Sequence, residues 1–115
     1  MDKNIYQKVQ IVILASNEND VFLLLLKTNQ KRGGFWQNIT GNLEPSLKES
    51  PKEAALREIQ EETGLSCDAI VDLDFKINFT DQYSRKIQET TFLSYFKNSI
   101  PKINISNKEH QDFQW

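Results

Sequence analysis

One cysteine, Cys67, one histidine, His110, and three prolines in 115 residues set the first boundaries. A lone thiol closes no internal disulfide and builds no cysteine-based zinc site, which excludes a stapled secreted scaffold and a zinc finger. A reducing, cytoplasmic setting fits, with Cys67 as a small apolar packing side chain. Long apolar runs are also missing: the longest, Val21 to Leu26, stops at Lys27, far short of a membrane span. Met1-Asp2-Lys3-Asn4 opens no signal-peptide core. Positive charge is not in excess. With 14 Lys and Arg against 16 Asp and Glu, the net charge is -2, and no global field attracts nucleic acid or an anionic membrane. Any phosphate must therefore be held locally.

The prolines, at 45, 51 and 101, punctuate the chain without clustering, and no repeat marks a linker. The length suits one domain, 1–115, around one core. Apolar residues at 38% and charged residues at 26% exclude wholesale disorder.

Tyr6 to Ala15 alternates and then turns continuously apolar, as a strand entering a covered sheet does. The polar turn Ser16 to Asp20 leads to a second strand, Val21 to Lys27, expected to pair antiparallel with the first as a buried hairpin. Asn29 to Gly34 is a polar loop. Ser50-Pro51-Lys52-Glu53 forms a capping box with proline at the first helical position, and Gly64 supplies the left-handed stop, so a helix is predicted over 51–63. Ala55, Leu56 and Ile59 form its apolar stripe. Strands follow at 69–79 and 86–96, with weaker candidates at 102–106 and 110–115. Strands, a helix and more strands predict an α+β mixed sheet with helices on its faces.

The helix carries a conflict. Glu58, Glu61 and Glu62 stand at i, i+3 and i+4, where their carboxylates repel one another near the negative end of the macrodipole. Arg57 neutralises only part of that charge. Clustered carboxylates with no thiol suit a hard cation, Mg²⁺ or Mn²⁺, which shares its shell with substrate phosphates. The same spacing also reads as an ordinary solvated helix face, and spacing alone leaves both open.

The residues from Gly41 through Glu49 to Arg57-Glu58-Ile59-Gln60-Glu61-Glu62-Thr63-Gly64-Leu65 resemble the signature of the Nudix hydrolases, G-x5-E-x7-R-E-U-x-E-E-x-G-U, with U aliphatic. Every fixed residue type is present. The departure is two extra residues between Gly41 and Glu49. The resemblance implies an αβα sandwich and metal-dependent hydrolysis of a diphosphate bond by activated water. It makes Glu58, Glu61 and Glu62 metal ligands, aided by the Gly41 carbonyl. Glu58 becomes a candidate to orient or deprotonate the water, and Arg57 an orienting partner of Glu49 or Glu61.

Phe35-Trp36-Gln37-Asn38-Ile39-Thr40-Gly41 and Glu109-His110 with Phe113-Gln114-Trp115 are similar to segments of the bacterial dihydroneopterin triphosphate and dATP pyrophosphohydrolases. That likeness maps Glu109 to a further metal ligand and implies a pterin or (deoxy)nucleoside triphosphate as substrate, split into monophosphate and pyrophosphate. Diadenosine polyphosphate hydrolases, which also have a tryptophan before the signature, compete with it, as does a degenerate Nudix-fold binding module without turnover. Trp36 reads as a base-stacking residue or a core anchor. Lys8, Lys27, Arg32 and Thr40 are candidates for the substrate side, and Lys31 reads as a solvated loop residue. His110 reads as a hydrogen-bonding neighbour, since glutamates and metal already activate water. The Nudix fold usually carries a second helix after its last strand. Its absence is expected here, leaving an apolar sheet face that a homodimer would bury.

Overall fold

The computed structural model describes residues 5–67 and 69–115. Met1 to Asn4, read above as opening no signal peptide, lie outside the described residues. The elements run β1 (Ile5–Ser16), β2 (Val21–Leu23), β3 (Leu25–Thr28), β4 (Trp36–Gln37), β5 (Ile39–Asn42), α1 (Pro51–Thr63), β6 (Val71–Thr80), β7 (Lys86–Phe96) and β8 (His110–Gln114). The architecture is α+β, as expected, with α1 the one α-helix among the described residues. None of its helices is long and apolar enough to cross a membrane.

β1 is the axis because its odd-numbered residues Val9, Ile11, Ile13 and Ala15 are all buried on one face. One of its edges pairs in parallel with β7, from Ile5↔Lys86 to Ala15↔Phe96 without a slip. The other is shared: β5 lies antiparallel to its first half, Lys8↔Asn42 to Ile11↔Ile39, and β2 to its end, Leu14↔Leu23 to Ser16↔Val21. β6 closes the far side of β7, antiparallel and exposed along its whole length. A second sheet runs in the order β4-β3-β8.

The helix forms as its caps dictate. Ser50 Oγ accepts from the Glu53 N–H at 3.2 Å, Glu53 Oε1 accepts from the Ser50 N–H at 3.1 Å, and Gly64 ends the helix at φ 75°. Ala54, Ala55 and Ile59 pack on Val9, Ile11, Ile13, Ile39 and Phe92. Two alanines let the helix approach the sheet closely, and burying Ile59 contributes about 1.5–3 kcal/mol.

Several expectations are corrected. The run Val21–Lys27 is not one strand: it breaks at buried Leu24, whose N–H bonds the Ile13 carbonyl at 2.9 Å, and the chain there leaves the first sheet for the second. Nor is the hairpin buried, since Val21 and Leu23 are exposed on an outer edge. The single mixed sheet is two sheets. Residues 102–106 form no strand, because the N–H groups of Asn104 and Ser106 go to the carbonyls of Thr63 and Glu62 at the end of α1. Finally, the helix buries Ala54 and not Leu56, so its inner stripe is 54/55, 58/59 and 62/63. That stripe includes two of the three clustered glutamates.

Candidate active site

The solvated-face alternative for the acidic helix does not hold for Glu58 and Glu62, which are 7% and 5% exposed. Glu61 stays exposed. A buried carboxylate needs partners, and Arg57 supplies them in a fork. Its Nε and Nη2 donate to the two oxygens of Glu49 at 3.1 and 2.7 Å. Nη1 reaches Glu58 Oε1 at 3.0 Å and Glu61 at 3.2 and 3.3 Å, and Nη2 also bonds the Asn42 carbonyl at 2.9 Å. Arg57 thus joins both partners that the sequence offered as alternatives. The two extra residues before Glu49 are absorbed by a 3-10 turn, Pro45–Leu47, closed by Lys48 at φ 50°. Glu49 Oε1 accepts the Glu44 N–H at 2.9 Å, which fixes the loop to the fork.

The electrostatics are unequal. Arg57 holds the Glu49 carboxyl below its ordinary value. Glu58 goes the other way: burial pushes it up to about 7, against the pull of Arg57 and with help from Glu61 and Glu62. Gly41 is required beside it, because a Cβ at that position would overlap the Glu58 carboxyl.

Glu62 is held from another direction. The end of α1 captures the segment before β8 through the Thr63 and Glu62 carbonyls, and this delivers His110 to the helix. His110 is 1% exposed, with Nδ1 at 2.6 Å from Glu62 Oε2. Its Nε2 lies 3.4 Å from the Gln37 amide nitrogen. With that amide placed nitrogen-first, Nε2 accepts and Nδ1–H donates to Glu62, which occupies one oxygen of the carboxylate. His110 is therefore a hydrogen-bonding neighbour in the structure as well.

These groups open on a cleft of about 460 Å³ lined by Gly41, Arg57, Glu58, Glu61, Glu62 and Glu109, and by Lys8, Arg32 and Thr40. Glu109 is ion-paired to Arg32 at 3.2 Å, and its carboxylate lies with those of Glu62 and the His110 ring within 4.8 Å of one another. Lys27 and Trp36 stand outside the cleft lining. They pair across β3 and β4, with Lys27 Nζ 6.0 Å above the Trp36 ring, and Trp36 is exposed, not a core anchor. Lys31 is an exposed loop residue. Cys67 Sγ lies 2.7 Å from Ser94 Oγ, half-buried beside the core.

The donor set suits a hard divalent cation. It is almost wholly carboxylate oxygen, one arginine serves Glu49, Glu58 and Glu61, and Glu58 is destabilised as an anion where it lies. Sequence reasoning missed Gln37, Asn42, Gln10, Asn38 and Glu89. The last three lie on the even-numbered face of β1 and its neighbours, of which the sequence had singled out only Lys8 and Thr40.

The NUDIX domain family model matches residues 6–115. Among curated proteins the chain is similar to an octanoyltransferase of Myxococcus xanthus, 34% identical over 108 residues, which cover 93% of this chain and 29% of that protein. It is also similar to the dihydroneopterin triphosphate diphosphatase of Haemophilus influenzae, 31% identical over 123 positions, 95% of this chain and 72% of the relative. The chain thus spans less than a third of the first of these relatives and most of the second. Among solved structures, the NUDIX domain of Shewanella oneidensis NrtR complexed with ADP ribose superposes with a TM-score of 0.80 at 20% identity, covering 99% of this chain and 73% of that one.

Proposed function

The chain belongs to the NUDIX domain family, and from that premise we propose that it is a divalent-cation-dependent pyrophosphohydrolase. Its substrate is a (deoxy)nucleoside or dihydroneopterin triphosphate, split by water into monophosphate and pyrophosphate. The observation that carries this reading is the half-buried Arg57 fork, which ties Glu58 and Glu61 of α1 together in a cleft that Lys8 and Arg32 also line.

Glu58, Glu61 and Glu62 would hold Mg²⁺ or Mn²⁺, with Glu109 and the Gly41 carbonyl as further ligands. When bound, the cation supplies Lewis-acid charge to the diphosphate oxygens and eases deprotonation of water. Arg57 and Glu49 fix the direction of the Glu58 and Glu61 carboxylates. Glu58 has one oxygen outside the Arg57 bond, which can turn toward the cation or the attacking water. Lys8 and Arg32 neutralise the outer phosphates, Arg32 exchanging its bond to Glu109 for one to phosphate, while Thr40 adds a hydroxyl. Trp36 and Lys27 act at most at the rim. A single reduced thiol is consistent with work in the cytoplasm.

The test is steady-state pyrophosphate release with Mg²⁺ from dihydroneopterin triphosphate, dATP and dGTP, with diadenosine tetraphosphate as the competing class. Release from a triphosphate that a chelator abolishes supports the proposal. Preference for diadenosine tetraphosphate, or no release from any substrate, overturns it.

A further inference from the structure

The even-numbered face of β1 turns away from the helix and carries Lys8 and Gln10. Register places Glu89 and Thr91 of β7 beside them on one edge and Asn42 and Thr40 of β5 on the other. Asn38 Nδ2 donates to Gln10 Oε1 at 3.0 Å, and Gln10 Nε2 donates onward to Glu89 Oε1 at 3.1 Å. The chain of bonds is directional and ends unfinished. Among the described residues Asn38 Oδ1 and Thr91 Oγ1 are buried without a partner, and Glu89, only 9% exposed, has its second oxygen outside these bonds. Orphaned buried oxygens cost free energy unless something donates to them.

We propose that Asn38, Gln10, Glu89 and Thr91 form a recognition site for a heterocycle that presents adjacent N–H donors, the 2-amino-4-oxo pyrimidine ring shared by guanine and pterins. This rests on reading the neighbouring cleft as a triphosphate site and names the substrate class for it. A carboxylate accepts two parallel N–H bonds in a fork, which the ring N–H and the 2-amino group of such a heterocycle supply. Adenine offers one donor beside a lone pair on that edge and would set the lone pair against the carboxylate.

The surroundings agree. Burial raises the Glu89 carboxyl, while Lys8 and the Gln10 amide draw it down. Phe75, Ile77 and Phe79 of β6 pair with Thr91, Glu89 and Ile87 and are exposed, giving the acceptors an apolar rim of the kind that covers a ring face. Lys8 and Thr40 belong to this face and also line the cleft. One step along β1, about 7 Å, therefore separates the phosphate side from the ring side.

The experiment measures kcat/KM for dGTP, dITP, dATP and dihydroneopterin triphosphate, with calorimetric binding of guanosine and neopterin in parallel. Expected is a preference of about 100-fold for dGTP or dihydroneopterin triphosphate over dATP, with dITP, which lacks the 2-amino group, in between. The favoured one of the two identifies a nucleotide or a pterin source. The nearly isosteric Glu89→Gln should collapse the preference about tenfold or more, chiefly through KM, and Thr91→Val should do so less. Equal use of dATP by the wild type, or an equal loss on all substrates in Glu89→Gln, overturns the proposal. If no triphosphate is cleaved, the hydrolase reading fails by itself. Binding of guanosine or neopterin, lost in Glu89→Gln, then still supports the ring site, and absence of binding by the wild type overturns it.

Discussion

Around Arg57 each guanidinium nitrogen has an oxygen to donate to, from Glu49, Glu58, Glu61 and the Asn42 carbonyl. Around Glu89, a smaller network leaves Asn38 Oδ1 and Thr91 Oγ1 buried with no donor among the described residues. Lys8 lines the cleft of the first and draws down the Glu89 carboxyl of the second. The difference lies in what each is missing: the first has its hydrogen bonds and lacks positive charge, since Glu58 is held near 7 by burial. The second lacks donors. On the proposed reading a cation completes one and the edge of a ring the other, which would separate where chemistry is done from where substrate is chosen.

The largest break in that comparison is Gly41→Ala. A methyl group there collides with the Glu58 carboxyl, so kcat should fall by about 100-fold or more while ring binding survives. Steady-state kinetics beside calorimetry of guanosine or neopterin checks this, and loss of both together would mean that the two regions are not separable. Next comes His110→Asn, which loosens Glu62 without touching Arg57. Mn²⁺ affinity, read by titration, should weaken about tenfold with fold retained. Gln37→Leu, which removes only the contact to His110 Nε2, should give a smaller loss in the same direction.

pH sharpens the contrast further. The folded-state value of Glu58 lies above its ordinary 4.5, so its contribution to stability is complete below 4.5 and is lost as pH rises through about 7. Glu89, also raised by burial, adds with the same sign. Metal-free protein should therefore lose stability from pH 4.5 to 7, by at most about 3 kcal/mol from Glu58. Excess Mg²⁺ should flatten the decline, and a chelated protein with flat or rising stability over that window would contradict the assignment. The smallest effect is Phe75→Ser: the side chain is exposed on β6, so stability should change by within about 0.5 kcal/mol. Chemical denaturation measures it, and a large loss would show that the rim is structural.

The two regions also differed in how readable they were. The helix limits 51–63 follow from Ser50, Pro51, Glu53 and Gly64, because capping chemistry is local and each residue type has few alternative uses there. The acidic spacing was equally plain, but that Glu58 and Glu62 are buried was not. Burial depends on which stripe meets the sheet, and Ala54 in place of Leu56 decided it. The break at Leu24 was hidden because residues buried in either sheet look alike in a continuous apolar run. The segment 102–106 failed as a strand because the N–H groups of Asn104 and Ser106 satisfy the helix-end carbonyls of Thr63 and Glu62, far away in the chain, a tertiary choice. Glu89 went unseen for a similar reason: a carboxylate in an alternating strand reads as solvent-facing unless the partner strand and its Gln10 are known.

The most direct test of the central claim, that the α1 carboxylates drive cation-dependent phosphoanhydride hydrolysis, is pyrophosphate release with and without Mg²⁺ by the wild type and by Glu62→Gln. Release should depend on Mg²⁺ in the wild type and fall by about 100-fold or more in the variant, with the fold intact by circular dichroism. Equal release by both proteins, or release by the wild type that persists in excess chelator, would contradict it.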